Sequence, residues 1–173
     1  MSRVAKSRIN LNSAKIQVND LNVVVQGQLG NVSLKLHPSL TVDINKESND
    51  FGVIGEDKIL CGTFVRIIGN AVSGVQKPFE KKIQLIGVGY KFAIEGKKLK
   101  LSVGYSHDIY LDILEGITIK LVNSANIVIS SCDKHLLGMF AARICGQRKY
   151  NPYKGTGIKD LDKFYRTKEI KKK

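Results

Sequence analysis

The stretch Tyr150-Asn151-Pro152-Tyr153-Lys154-Gly155-Thr156-Gly157-Ile158-Lys159 has the residue types that contact nucleic acid. Glycines let a backbone approach phosphates closely and turn its N–H groups toward them; Lys154 and Lys159 supply charge, and the tyrosines offer faces for stacking. Further cations surround it: Arg148, Lys149, Lys163, Arg166, Lys168 and the terminal Lys171, Lys172 and Lys173. On spacing alone, a solvated basic tail with ordinary turn glycines is the slightly better explanation of the same residues.

Other chemistry is poorly supported. His37, His107 and His135 lie in different elements without a matched acid or nucleophile pattern, so they make no triad. Ser131-Cys132-Asp133-Lys134 has Ser-x-x-Lys spacing but lacks the motif's partners. Gly69 to Gly74 has phosphate-loop glycine spacing, yet Val75 and Gln76 stand where Lys and Ser or Thr belong, within a helical pattern. Gly87-Val88-Gly89 lacks the third glycine of a dinucleotide fingerprint and reads as part of a strand. Cys61, Cys132 and Cys145 are odd in number and form no Cys-x-x-Cys pair, so neither a disulfide framework nor a zinc site is expected. The expectation is a protein that is not an enzyme and uses no cofactor or metal.

The charge balance points the same way. The 173 residues carry a formal net charge of +13. Residues 1–82 hold 11 cations against 7 acids and residues 83–173 hold 17 against 8, so the second half contributes +9. Such an excess suits a polyanion. No apolar run in the sequence approaches the roughly 20 residues of a membrane span, and the N-terminal cations precede no apolar signal core. A soluble, cytoplasmic chain is expected, with an organellar address left open.

The elements that must position these residues follow from hydrophobic periodicity. Ile16 and Val18, Val23 to Val25, then Val32, Leu34, Leu36 and Leu40, Val42, Ile44 alternate as half-buried antiparallel strands, with a turn at His37-Pro38-Ser39. Ile59, Leu60, Phe64, Ile67, Ile68, Ala71, Val72 and Val75 recur at three and four, which predicts a helix stopped by Pro78. The plan then repeats. Ile86, Val88, Tyr90, Phe92 and Ile94, then Leu99, Leu101 and Val103, Ile109 to Ile113, Ile117 to Leu121 and Ile127 to Ile129 read as strands, and Leu136, Leu137, Phe140, Ala141 and Ile144 as a helix face. An ungapped offset of 77 places Val24, Gly27, Val32, Leu40 and Arg66 on Leu101, Gly104, Ile109, Ile117 and Arg143, with the paired glycines and arginines as its strongest support. This is the signature of one fold used twice in tandem. Past Cys145 the pattern dissolves into a basic tail with too little apolar surface to order itself, so a chain ended after Gly146 is expected to keep its core.

At this point the chain resembles the bacterial-type large-subunit ribosomal protein L-six family. Tyr153-Lys154-Gly155, Gly157 and Ile158 match the family's C-terminal signature, and Leu85-Ile86-Gly87-Val88-Gly89-Tyr90, Leu101-Ser102-Val103-Gly104-Tyr105-Ser106-His107 and Met1-Ser2-Arg3 are similar in the family's order. Departures are Thr156 for the signature's second lysine, Val65 for an arginine, Asp108 for a proline, and Ala5 and Arg8 for a glycine and a proline. The resemblance implies a two-domain protein bound to large-subunit ribosomal RNA. It also implies a seat near the base of the factor-recruiting stalk, beside the sarcin-ricin loop region, with neighbouring ribosomal proteins and translation GTPases close by.

The combined expectation is an α+β protein of two tandem similar units, each a mostly antiparallel sheet with one helix packed across it, plus a basic C-terminal tail. The first unit spans residues 1–82 and the second residues 83–173. RNA contacts are assigned to Arg148, Lys149, Tyr153, Lys154, Gly155, Gly157, Lys159 and Arg166, with Arg3 and Lys6 as a secondary contact. The rival reading is a free-standing RNA-binding regulatory protein outside the ribosome, which would cycle on and off RNA rather than sediment stoichiometrically with large subunits. An RNA-modifying enzyme would need a cofactor loop or convergent titratable residues, and the sequence has neither.

Overall fold

Alternation becomes strand and the three-to-four period becomes helix, in the same order twice. The computed structural model describes residues 7–11, 13–19, 21–45 and 49–169; Arg3 and Lys6 lie outside the described residues. The first unit contains β1 (Ile9–Asn10), β2 (Lys15–Asn19), β3 (Asn22–Gly27), β4 (Gly30–Lys35), β5 (Leu40–Asn45), β6 (Asp50–Gly55) and α1 (Lys58–Gln76). The second contains β7 (Phe79–Ile86), β8 (Lys91–Glu95), β9 (Lys98–Ser102), β10 (Ile109–Asp112), β11 (Ile117–Asn123), β12 (Asn126–Ser131), α2 (Lys134–Gln147) and β13 (Gly157–Asp160). One compact unit runs to Pro78 and includes Cys132–Lys134; the other takes Phe79–Ser131 and continues from His135. The division falls four residues before the one expected at 82/83, because the chain enters β7 directly after Pro78.

The strand orders show the duplication. The first unit has sheets β1-β6-β5 and β2-β3-β4; the second has β13-β7-β12-β11 and β8-β9-β10, with all pairings antiparallel. Each unit therefore carries two small sheets rather than the single one expected. Val25 pairs with Val32 as Leu101 pairs with Ile109, and Ile44 with Phe51 as Leu121 with Ile127. These pairings correct the ungapped register. The offset is 77 in β4 and β5, but 76 in β2, β3, β6 and the helix, where buried Cys61, Val65 and Ile68 correspond to Leu137, Ala141 and Ile144. The second unit has one residue more between β9 and β10 and one fewer between β11 and β12. Val24 therefore does not match Leu101, since a one-residue slip turns a side chain to the other face. Likewise Arg66 matches exposed Ala142 and Arg143 matches exposed Ile67, so the arginine pair is coincidental.

Each unit closes around its own core. Helix α1 starts where Asp57 accepts the Ile59 N–H at 3.0 Å and ends at extended Lys77, as the residue before a proline favours. It is long and apolar enough to span a membrane by length and composition, a possibility absent from the sequence reading; its inner face instead packs on β3, β4 and β6. At the end of β3, a Cβ on Gly27 would sit 2.6 Å from the Val75 side chain, so glycine permits the approach of sheet and helix. In the second unit Ile83, Leu99, Leu101, Ile127, Ile129, Phe140 and Ile144 are fully buried. The expected run Ile86-Val88-Tyr90 is broken: β7 ends at Ile86, Gly89 takes a positive φ of 78°, and Val88 is fully exposed. The Tyr90 ring fills the space beside Gly87 and Gly104, where added Cβ atoms would lie 2.9 and 3.0 Å from it.

The largest difference from expectation is the tail. Residues after Cys145 fold back, and β13 pairs with β7 in the register Ile158 to Leu85 and Asp160 to Ile83. Cross-strand partners share a face, so Ile158 enters the core at 1% exposure and Asp160 is brought in beside it. The Asp160 carboxylate meets Lys81 Nζ at 2.8 Å and accepts the Asp162 N–H at 3.2 Å, while Leu161 N–H donates to the Lys82 carbonyl at 3.0 Å. The sequence shows too little of this because one isoleucine among glycines and cations carries no periodicity.

Truncation after Gly146, expected to spare the core, removes one of its members and a strand of its sheet. It is expected to lower the urea midpoint sharply, and Ile158→Ala alone to cost about 2–5 kcal/mol; an unchanged midpoint would show that β13 is not part of the folded unit. Gly157 has φ 134°, and a Cβ there would lie 2.7 Å from Tyr150 Cα and 2.8 Å from the Lys149 carbonyl oxygen. Gly157→Ala is therefore expected to cost about 1–3 kcal/mol in the same assay. The Asp160 hydrogen bond raises the Lys81 pKa above its ordinary 10.5, with burial opposing. The pair's contribution is accordingly full below pH 10.5 and lost as pH rises through the folded-state value. Lys81→Met is expected to destabilise the protein at neutral pH, by about 3–5 kcal/mol for a broken buried pair, and to flatten that alkaline loss.

Candidate RNA-binding surface

The segment between α2 and β13 is a closed loop. Asn151 N–H donates to the Thr156 carbonyl at 2.8 Å and the Asn151 carbonyl accepts the Gly155 N–H at 2.8 Å. Asn151 Oδ1 accepts the N–H groups of Tyr153 and Lys154 at 2.9 and 3.3 Å, the local side-chain turn that asparagine favours. Gly155 closes the loop at φ 69°, a left-handed conformation open to glycine. Ile158 N–H donates to the Arg148 carbonyl at 3.1 Å, tying the loop's exit to its entrance.

This frame sorts the expected contact residues. Arg148, Lys149 and Lys154 line one open groove of about 510 Å³ with Tyr105, Asn151 and Thr156. Arg148 is stacked, its guanidinium carbon 4.7 Å from the Tyr105 ring centroid, and the Tyr105 hydroxyl donates to the Gln147 carbonyl at 3.1 Å. Hydrogen bonding to Tyr105, then to Tyr90, raises the Arg148 pKa further above its already high ordinary value, so the group stays cationic. Tyr153 and Arg166 line a second groove of about 530 Å³ with Thr167, Lys168 and Glu169. Lys159 lies apart on β13, its Nζ 5.7 Å from the Tyr165 ring centroid, and Tyr165 packs against Tyr150 at 5.0 Å. Gly155 and Gly157 have folding duties first: one sets the turn and the other permits the backbone crossing beside Lys149 and Tyr150.

Electrostatically the surface is unspent. Residues 146–169 hold seven cations (Arg148, Lys149, Lys154, Lys159, Lys163, Arg166, Lys168) against three carboxylates, and one of those, Asp160, is committed to Lys81. Among the described residues none of the seven is in a carboxylate ion pair. Some cations elsewhere are paired. Arg8 is held by Asp43 at 2.7 Å and Asp50 at 3.1 Å, and Lys100 by Glu95 at 3.2 Å and Asp108 at 3.3 Å. Asp108 also accepts the Ser102 hydroxyl at 2.6 Å, which gives it a structural duty in the β9–β10 connection.

Sequence reasoning missed Tyr105 and Tyr90 as the support of Arg148, and Asn151 as the organiser of the loop. Tyr105 was visible only as an aromatic beside Gly104, far from Arg148 in sequence. Asn151 before a proline was a turn signal of the ordinary kind.

The ribosomal protein L6 family pattern matches residues 86–161, from the end of β7 through β13. The large ribosomal subunit protein uL6 of Burkholderia mallei (strain SAVP1) is 39% identical over 176 residues, covering 100% of both chains. The protein of the same name from Mycoplasma pneumoniae is 38% identical over 169 residues, covering 94% of this chain and 92% of its own. Identity of this extent along the full length, together with the repeated sheet and helix units, makes this chain a member of the ribosomal protein L6 family.

Proposed function

We propose that this chain is a non-enzymatic structural constituent of the large ribosomal subunit in the cytoplasm, holding large-subunit ribosomal RNA through its second unit and C-terminal segment. Full-length similarity to proteins named for the large subunit supports the assignment. The observation that carries the binding mode is the closed loop with Arg148 beside Tyr105 and with cations that, among the described residues, are in no carboxylate ion pair. Cations displace counterions from packed phosphates, and a loop fixed beforehand spends little ordering entropy when it does so.

The chemical roles follow from position. Arg148, its guanidinium carbon 4.7 Å from the Tyr105 ring centroid, can address a phosphate. Lys149 and Lys154 border the same groove, and Arg166 with exposed Tyr153 borders the next. Gly155 and Gly157 keep the loop low enough for an RNA backbone to approach, and Arg3 and Lys6 add a secondary contact. The seat is near the base of the factor-recruiting stalk and the sarcin-ricin loop region, with neighbouring ribosomal proteins in contact and translation GTPases close by. That part of the proposal extends the family resemblance.

The tagged protein is expected to co-sediment stoichiometrically with large subunits in moderate salt. Appearance only in ribosome-free fractions would instead support a free-standing regulator. Replacing Lys154 and Lys159 by Ala removes two cations without touching the core, and is expected to lower the slope of log affinity against log salt by roughly two counterions' worth. An unchanged slope would show that these lysines do not meet phosphates.

A further inference from the structure

Phe164 has no folding duty that explains its place. It is 93% exposed, and among the described residues only Val88 is a large apolar side chain exposed to a greater fraction. A single exposed apolar residue usually needs no explanation. This one is held outward by a built turn. Lys163 N–H donates to the Asp160 carbonyl at 3.1 Å on one side. On the other, Tyr165 packs against Tyr150, and its hydroxyl accepts the Asp160 N–H at 3.1 Å. Two residues beyond Arg166, Lys168 N–H donates to the Pro152 carbonyl at 3.0 Å. The backbone on both sides is therefore anchored to the β13 region while the ring points into solvent.

The surroundings identify what would cover the ring. Lys163 and Arg166 flank it in sequence, and among the described residues neither is in a carboxylate ion pair. A flat apolar face between phosphate-binding cations is how proteins hold an unstacked base. The core of a protein–protein interface is depleted in lysine and makes the poorer match.

We propose that Phe164 stacks on an unpaired base of the RNA that the C-terminal segment binds. The inference rests on the RNA-binding reading of that segment and adds a single-stranded feature to its target. In full-length protein assembled into large subunits, a photoreactive benzoyl-phenylalanine is placed at Phe164 and, separately, at Tyr153. Both positions are expected to cross-link to ribosomal RNA on irradiation. RNA cross-links from Tyr153 with only protein or nothing from Phe164 would overturn the stacking role and leave RNA binding standing; silence at both would overturn both. In solution, Phe164→Ala is expected to weaken binding to large-subunit ribosomal RNA by about five- to hundredfold, with Phe164→Tyr close to wild type. The salt slope should not move, since no charge is lost. Wild-type affinity in Phe164→Ala would contradict the proposal.

Discussion

The proposed RNA-binding surface depends on a four-residue strand pairing. When β13 joins β7, it drives Ile158 into the core and carries Asp160 with it, because alternate residues share a face. A carboxylate so placed needs a partner, and Lys81, two residues before Ile83 on the same face of β7, supplies one at 2.8 Å. The pairing also fixes both ends of the loop that precedes it and the turn that follows it. Gly157 lets this happen, since any side chain there would strike the backbone at Lys149 and Tyr150.

The proposed function draws on charges that the fold does not consume. Lys81 is spent on Asp160, Lys100 on Glu95 and Asp108, and Arg8 on Asp43 and Asp50. Among the described residues, the seven cations of residues 146–169 are in no carboxylate ion pair, and they are displayed on a frame made by Asn151, the tyrosine pair and the strand. Screening weakens exposed charges individually, yet several facing one RNA backbone release several counterions together. The two units share strand order, but among the described residues only the second has a strand added beyond the repeat. The duplicated plan thus supplies two similar cores, and the addition to one of them supplies the surface.

Much of this was legible in the residues. Buried alternation and the three-to-four stripes gave nearly every strand and both helices, because burial of one face imposes a period that composition cannot hide. The register was harder to read. Glycine and arginine matches at 77 looked more specific than apolar ones, yet the buried Val25, Phe51, Val65 and Ile68 set the correspondence at 76 outside β4 and β5. Loop lengths differing by one residue in opposite directions concealed the change. Strand β13 could not be read at all, since Ile158 lacks an apolar neighbour at spacing two and its partner strand lies some 70 residues earlier. The signature loop was found by residue type, and the stacking of Arg148 on Tyr105 needed the fold.

Amide hydrogen exchange on the free protein tests directly whether the RNA-binding surface exists before RNA arrives. The N–H groups of Gly155, Ile158 and Leu161 each have a carbonyl acceptor within 3.1 Å. A preformed surface requires Ile158 and Leu161 to exchange as slowly as the central strands of the second unit, with Gly155 also clearly protected. Exchange of all three at the rate of an unstructured chain would contradict it, and would mean that RNA itself folds the segment.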